Sequence, residues 1–292
     1  MRHRLKVIPK STIESVIQTT YSVDVEEFRA RDSLAPVDPL LPQYTFNPLT
    51  DRPFIHMLDG RYLAPLPELI TRKLSPIELY YAGVERFGEP FSRDMGELFE
   101  DYIGRQFATL PGSTVVSEIE YGSKKERTKS VDWFVTTGSN LLLVEAKASR
   151  FTLSTRIGGD NLETQLKGTV GKAFSQINRT HQALVDGKLG DTVPPGLRSI
   201  GLVATLDSAY GMNNVWVREL LPIADIPIVV ASASEIEMLV AIGQRQDIGP
   251  ILEAIIDGDL ATWNLGIALQ GHYEPTDQNP LHEASWVKYP WN

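Results

Sequence analysis

The chain of 292 residues contains no cysteine. This excludes a disulfide framework and a thiolate metal site, and it makes a reducing cytoplasm the expected setting. No run of about 18 apolar residues occurs, and the basic N-terminus (Arg2, Arg4, Lys6, Lys10) is followed by no apolar block, so neither a membrane span nor an export signal is expected. A Gly-rich phosphate loop, a serine-nucleophile signature and internal repeats are missing. The five histidines, at 3, 56, 181, 272 and 282, lack metal-ligand spacing and read as surface or satisfied core residues. Basic charge is also scarce. With 28 Lys and Arg against 37 Asp and Glu, the net charge of −9 argues against a general polyanion coat, because nonspecific affinity for nucleic acid comes from cations neutralising phosphates.

What is present suffices for a sizeable core: 42% of residues are hydrophobic, enough for one large domain or two smaller ones. The charge is unevenly spread. Residues 91–200 are close to balanced, and the flanks carry the acidity. Residues 11–31 have loose helical spacing, prolines at 36, 39, 42, 48, 53, 65 and 67 break regular structure into a wrapping segment, and Ser75-Pro76 opens a short helix to about 87. We therefore divide the chain into an N-terminal extension, 1–91, and a main domain, 92–292. Ser92 reads as the cap of a helix over 93–109 with apolar face Met95, Leu98, Phe99, Tyr102, Ile103 and Phe107. Its phase leans Glu100 inward and leaves Glu97 on a polar side. A strand is expected over 114–121, with Glu118 and Glu120 solvated at a sheet edge. A long helix runs from Asp160 or Asn161 to about 186 with core stripe Leu162, Leu166, Val170, Ala173, Phe174, Ile177 and Leu184. Lys172 and Gln176 lie on its polar stripe. A buried strand over 198–205, another at 226–231, and helices near 234–245 and 249–257 complete an α/β layer. The aromatic tail Trp286 to Asn292 reads as a docking segment, onto the domain or onto a partner.

The segments 130–136 and 141–147 flank Thr137-Gly138-Ser139-Asn140, a turn signal, and read as a hairpin. A turn centred between Gly138 and Ser139 sets Asp132 opposite Glu145 and Ser130 opposite Lys147. With period-two alternation, Glu145 and Lys147 share one face while Leu142, Val144 and Ala146 pack on the other. Two facing carboxylates repel. One lysine leaves excess negative charge, which a hard divalent cation such as Mg²⁺ would neutralise through oxygen ligands. Lys124, Lys125, Arg127 and Lys129 precede this hairpin, and Arg150 and Arg156 follow it. They fit a phosphate track for nucleic acid or a plain solvated face.

Asp132, twelve intervening residues and Glu145-Ala146-Lys147 form a pattern that resembles the PD-(D/E)xK nuclease superfamily, with Val131 in place of the proline. The similarity covers about residues 92–206. It implies an α/β fold with a restriction-endonuclease-like αβββαβ core, a mixed central sheet flanked by helices, the Pro-rich extension before it and a C-terminal α/β elaboration over 207–292. It also implies Mg-dependent hydrolysis of phosphodiester bonds, in DNA before RNA, with Mn²⁺ able to substitute. Asp132, Glu145 and the Ala146 carbonyl would hold the metal. Glu100, which completes the family-like sequence Gly96-Glu97-Leu98-Phe99-Glu100, would join them, and Lys147 would orient water or neutralise the transition state. Lys172 and Gln176 would orient substrate or water. By the same resemblance the setting is a defence or repair system with a protein partner or a homo-oligomer. The competing expectation is a catalytically inactive scaffolding subunit that keeps Asp132, Glu145 and Lys147 as a buried ion cluster.

Overall fold

The computed structural model describes residues 9–34, 47–73, 76–123, 126–148, 162–194, 196–207 and 211–288. The chain falls into two compact units, residues 1–91 and 92–292. The first holds α1 (Lys10–Val16), a π-helical turn (Ile17–Tyr21), β1 (Ser22–Asp24), α2 (Val25–Leu34), α3 (Pro48–Asp51), β2 (Phe54–His56), β3 (Tyr62–Leu63), α4 (Glu68–Lys73) and α5 (Pro76–Phe87). Residues 11–31 are thus several elements and not one loose helix. The prolines do not prevent regular structure either. Pro48 sits in the first turn of α3 behind the Asn47 cap, where a missing N–H costs nothing, and β1 pairs in parallel with β2, which pairs antiparallel with β3. Leu49, Ile55 and Leu69 form a small core, and Asp51 accepts bonds from Arg31 and Lys73, each at 3.0 Å.

Next comes α6 (Glu89–Ala108), which begins earlier than the Ser92 cap expected from sequence. Gly88, at φ +69, closes α5, and Pro90 falls in the first turn of α6, where proline is tolerated. Phe99, Ile103 and Phe107 are buried along α6, but Leu98 is 64% exposed and does not belong to the apolar face. The chain continues through β4 (Thr114–Ser117), β5 (Glu120–Ser123), β6 (Glu126–Lys129), β7 (Trp133–Thr137), β8 (Asn140–Lys147), α7 (Leu162–Gly168), α8 (Val170–Val185), β9 (Arg198–Thr205), α9 (Val215–Arg218), β10 (Ile228–Ser232), α10 (Ala233–Ile242), α11 (Ile248–Ile256), α12 (Leu265–Leu269) and α13 (Pro280–Trp286).

The central sheet has strand order β10-β9-β8-β7-β4. β8, β9 and β10 run parallel, and β7 is antiparallel to both β8 and β4, so the sheet is mixed. Alternation sends Leu142 and Val144 to the layer made by α6, α10, α11 and α12, and Leu141 and Leu143 to the layer made by α7 and α8. Covering both faces explains why β8 and β9 read as continuous apolar runs. Two expectations need correction. The strand expected over 114–121 divides: β4 belongs to the central sheet, whereas β5 pairs only with β6 in a separate ribbon. The cause is long-range, since Ile119 leaves the sheet to exchange bonds with Ser130 (Ser130 N–H to Ile119 O, 3.0 Å; Ile119 N–H to Ser130 Oγ, 2.8 Å). The helix expected to reach 186 breaks at Thr169, which lies outside helical geometry at φ −117 and ψ −83, directly after Gly168. Its expected start at Asp160 or Asn161 lies outside the described residues.

C-terminal helix α13 docks back onto this unit. Asn279 donates to Gln106 Oε1 at 2.7 Å and to the Glu237 carbonyl, while Tyr102 donates to Glu237 at 2.6 Å. Burial beside Glu237 pushes the Tyr102 phenol far above its usual range. The aromatic tail beyond residue 288 lies outside the described residues.

Candidate active site

The β7–β8 hairpin closes through a two-residue turn. Gly138 takes φ +50 and Ser139 does not, the pattern that puts glycine first in the turn. Trp133 stands opposite Val144 and Thr137 opposite Asn140, the register read from the sequence. One step beyond the last pair, Asp132 leaves the ladder and accepts the Ala146 N–H through Oδ2 at 2.7 Å. Asp132 and Glu145 thus meet at the carboxyl end of β8, where Lys147 lies beside Thr205 of the parallel strand β9. Crevices at the carboxyl ends of parallel strands are where open α/β sheets bind ligands.

Glu145 is 1% exposed. Its Oε1 accepts from Lys147 Nζ at 2.5 Å, and its Oε2 is buried with no hydrogen-bond partner. Burial first, and then the negative charge of Asp132, push the Glu145 carboxyl up to about 8 against the opposing pull of Lys147 and of the Asp132 backbone N–H, which makes no hydrogen bond to Oε2. Asp132 is also raised, by burial before anything else, although the Ala146 N–H and Lys147 favour its charged form. The bond between Lys147 and Glu145 and the raised Glu145 pKa pull in opposite directions. The second holds, because one ammonium satisfies one oxygen and desolvation acts on both.

Glu100, on α6, lies close enough to Asp132 to feel its charge. Burial raises its carboxyl, with further contributions from Asp132 and Glu118 and opposing ones from Lys129 and Lys147, while Glu97 is exposed. A glycine sets that approach. Gly104, one turn after Glu100, lies against the Trp133 ring so closely that any Cβ there would overlap it, and Trp133 Nε1 donates to the Glu100 carbonyl at 2.9 Å. We predict that Gly104→Ala destabilises the fold by about 1–3 kcal/mol through overpacking and displaces Glu100. Melting measured beside wild type checks it, and an unchanged midpoint would show that the ring yields freely.

The segment before Asp132 is held on two sides. Gln176 Nε2 donates to the Ser130 carbonyl at 2.8 Å, and Thr180 Oγ1 accepts the Val131 N–H at 3.0 Å. Gln176 therefore acts on Asp132 through the backbone, whereas Lys172 is exposed on the same helix. In the ribbon, Arg127 pairs with Glu120 and Lys129 with Glu118, both at 2.8 Å. Lys124, Lys125, Arg150 and Arg156 lie outside the described residues. Glu118, read from sequence as a solvated edge residue, sits in the break between β4 and β5 and adds negative charge to the cluster. Its departure from the strand depends on the Ile119–Ser130 pairing, which no local pattern encodes.

Among the described residues, no group of three or more His, Asp or Glu is arranged to hold a metal ion. None of their helices is long and apolar enough to cross a membrane. Compared with protein-family models, with curated proteins and with solved structures, the chain matches none.

Proposed function

We propose that this protein is a metal-dependent nuclease that hydrolyses phosphodiester bonds, DNA before RNA, and that the main domain has a restriction-endonuclease-like core. The observation that carries the reading is Glu145 Oε2, a buried carboxylate oxygen without a partner, beside a second buried carboxylate. A buried carboxyl with an unsatisfied oxygen is costly to ionise, and the Asp132 carboxylate beside it makes it more so. A donor set of hard oxygens suits Mg²⁺ or Mn²⁺, and Mg²⁺ commonly uses only one or two protein carboxylates. Asp132, Glu145 and the Ala146 carbonyl would hold the ion, with Glu100 near enough in charge to bind a water or a second ion. Bound there, the ion supplies Lewis acidity and a water of lowered pKa.

The chain's own residues do the rest. Lys147 offers a cation beside the scissile phosphate and orients the attacking water. Glu100, its carboxyl raised by burial and by Asp132 and Glu118, is suited to take part in proton transfer. Gln176 and Thr180 fix the segment that aims Asp132. With the separate β5–β6 ribbon and the short α7 set aside, the order α6, β4, β7, β8, α8, β9 runs helix, three strands, helix, strand, which supports the αβββαβ reading. A catalytically silent scaffold with the same fold is the second reading. It is favoured by the Lys147–Glu145 bond, which already neutralises one carboxylate.

The deciding experiment incubates the protein with plasmid, linear duplex, single-stranded DNA and RNA, with Mg²⁺, with Mn²⁺ and with chelator. Hydrolysis that needs the metal is expected. No cleavage of any substrate with either metal would favour the scaffold.

A further inference from the structure

A cavity of about 710 Å³ runs along α8, walled on its other side by residues 219–222. Lys172, Ser175, Gln176 and Arg179 line it from the helix, at spacings that put them on one face. Among the described residues neither Lys172 nor Arg179 has a partner, whereas Lys167, which lines the same cavity, is paired with Glu163. Lys172 and Arg179, about 10.5 Å apart along the axis at 1.5 Å per residue, flank Gln176. That residue is the one whose amide holds the Ser130 carbonyl, two positions before Asp132. The cavity therefore abuts the segment that carries the candidate site.

The far wall adds an aromatic. α9 continues in helical geometry through Glu219, whose N–H donates to the Val215 carbonyl, and the Leu220 N–H donates to the Val217 carbonyl. Trp216 consequently shares a face with Glu219 and Leu220, which line the cavity. Its indole is 76% exposed, about one helical turn before the cavity-lining Glu219. Arg218 points the opposite way, stacked 4.9 Å over the Phe174 ring and donating to Asn213 Oδ1 and the Ile228 carbonyl, so it anchors α9 while Trp216 stays in solvent. Pro222 packs at Gly171, and Asn178 donates to the Ile223 carbonyl at 2.7 Å, which fixes this wall along the helix.

We propose that this groove takes a single nucleic-acid strand, with phosphates on Lys172 and Arg179 and a base stacked on Trp216. The inference rests on the nuclease reading for its link to Asp132 and Glu145, and it narrows the substrate to strands unpaired next to the cut. The volume is that of a small-molecule cleft, room for a few nucleotides and not for a double helix. An exposed indole gains from a base only when that base's face is free, as in a single strand. Net charge at the groove is slightly positive, because Glu163 and Glu219 stand against Lys167, Lys172 and Arg179.

The test is fluorescence anisotropy of labelled oligo-dT, oligo-rU and duplex DNA against the full chain in chelator, over a range of salt, with no cleavage to confound it. Wild type should bind both single strands more tightly than duplex. Lys172→Ser with Arg179→Ser should lower the salt slope by about 1.4, at about 0.7 per lost phosphate contact on a single strand. Trp216→Ala should weaken single-strand binding roughly tenfold with the slope unchanged and duplex binding unaffected. Circular dichroism establishes that the variants are folded. An unchanged slope in the double variant, an equal effect of Trp216→Ala on duplex, or no binding by wild type would overturn the proposal. Binding as expected without cleavage once Mg²⁺ is added would leave the groove standing and remove the nuclease reading. Cleavage by wild type with binding unchanged in every variant would do the reverse.

Discussion

On the proposed nuclease reading, Asp132→Ala, Glu145→Gln and Lys147→Ala are each expected to lower metal-dependent cleavage by about 10³-fold or more, the scale seen when a preorganised charge contact to the reacting centre is removed. Stability separates the three. Glu145→Gln removes a buried, half-satisfied carboxylate, so without metal its melting midpoint stays level or rises. Asp132→Ala relieves the repulsion on Glu145 but gives up the bond from the Ala146 N–H, and the two changes nearly offset. Lys147→Ala strips Glu145 of its side-chain hydrogen-bond donor and lowers the midpoint at pH 8, where that carboxyl is losing its proton, but little at pH 5. Glu100→Gln should also cut activity strongly and Glu97→Gln only slightly, because Glu100 alone of the two feels Asp132. Cleavage assays and thermal melts on the same preparations check all of these. Full activity in Glu145→Gln, or unfolding of all three variants at both pH values, would contradict the account.

A second large effect is the pH dependence of stability. The folded Glu145 carboxyl titrates near 8, against an ordinary value of 4.5. Between these values the folded chain keeps a proton that the unfolded chain has released, so stability falls as pH rises through that window, by up to about 1.4 kcal/mol per unit for one proton. The raised pKa values of Asp132 and Glu100 act in the same direction. The metal-free protein should therefore lose several degrees of melting temperature between pH 5 and pH 8. Millimolar Mg²⁺ should restore most of the loss at pH 8 and almost none at pH 5, since a cation competes with the proton for the same oxygens. Below pH 4 the order reverses. Asp257 bonded to Arg198 and Asp277 bonded to Arg245 are held below the ordinary carboxylate range, and their contributions disappear as they protonate. Glu145→Gln should flatten the alkaline side, and a wild-type midpoint that rises from pH 5 to pH 8 without metal would contradict the assignment.

The parts of the fold that local pattern controls were legible. The hairpin register follows from one glycine able to take φ +50 between two runs of strand-forming residues, and β9 spans the segment 198–205 around its apolar run. Glu100 could be placed because 3.6-residue periodicity fixes its angle relative to Ile103 and Phe107. The same periodicity misjudged Leu98, which it groups with Phe99 although no neighbour covers it. What failed depended on distant partners. Nothing between Thr114 and Tyr121 announces that Ile119 will pair with Ser130, so the strand break and the turn of Glu118 toward the carboxylates were invisible. Gly104 reads as a mild helix defect until Trp133 is known to lie against it. In the first unit, proline spacing suggested a wrapping strap, yet short strands fit between the prolines because β2 and β3 contain none.

The central claim is that Asp132 and Glu145 form a cation site, and titration calorimetry of Mn²⁺ into the protein at pH 7, in two buffers of different ionisation enthalpy, tests it directly. The account predicts binding to wild type with release of close to one proton, because Glu145 holds its proton at that pH until a metal replaces it. Both the binding and the proton release should be lost in Glu145→Gln. Wild type that takes up no divalent metal at millimolar concentration, or a Glu145→Gln variant that binds Mn²⁺ equally well with equal proton release, would contradict it.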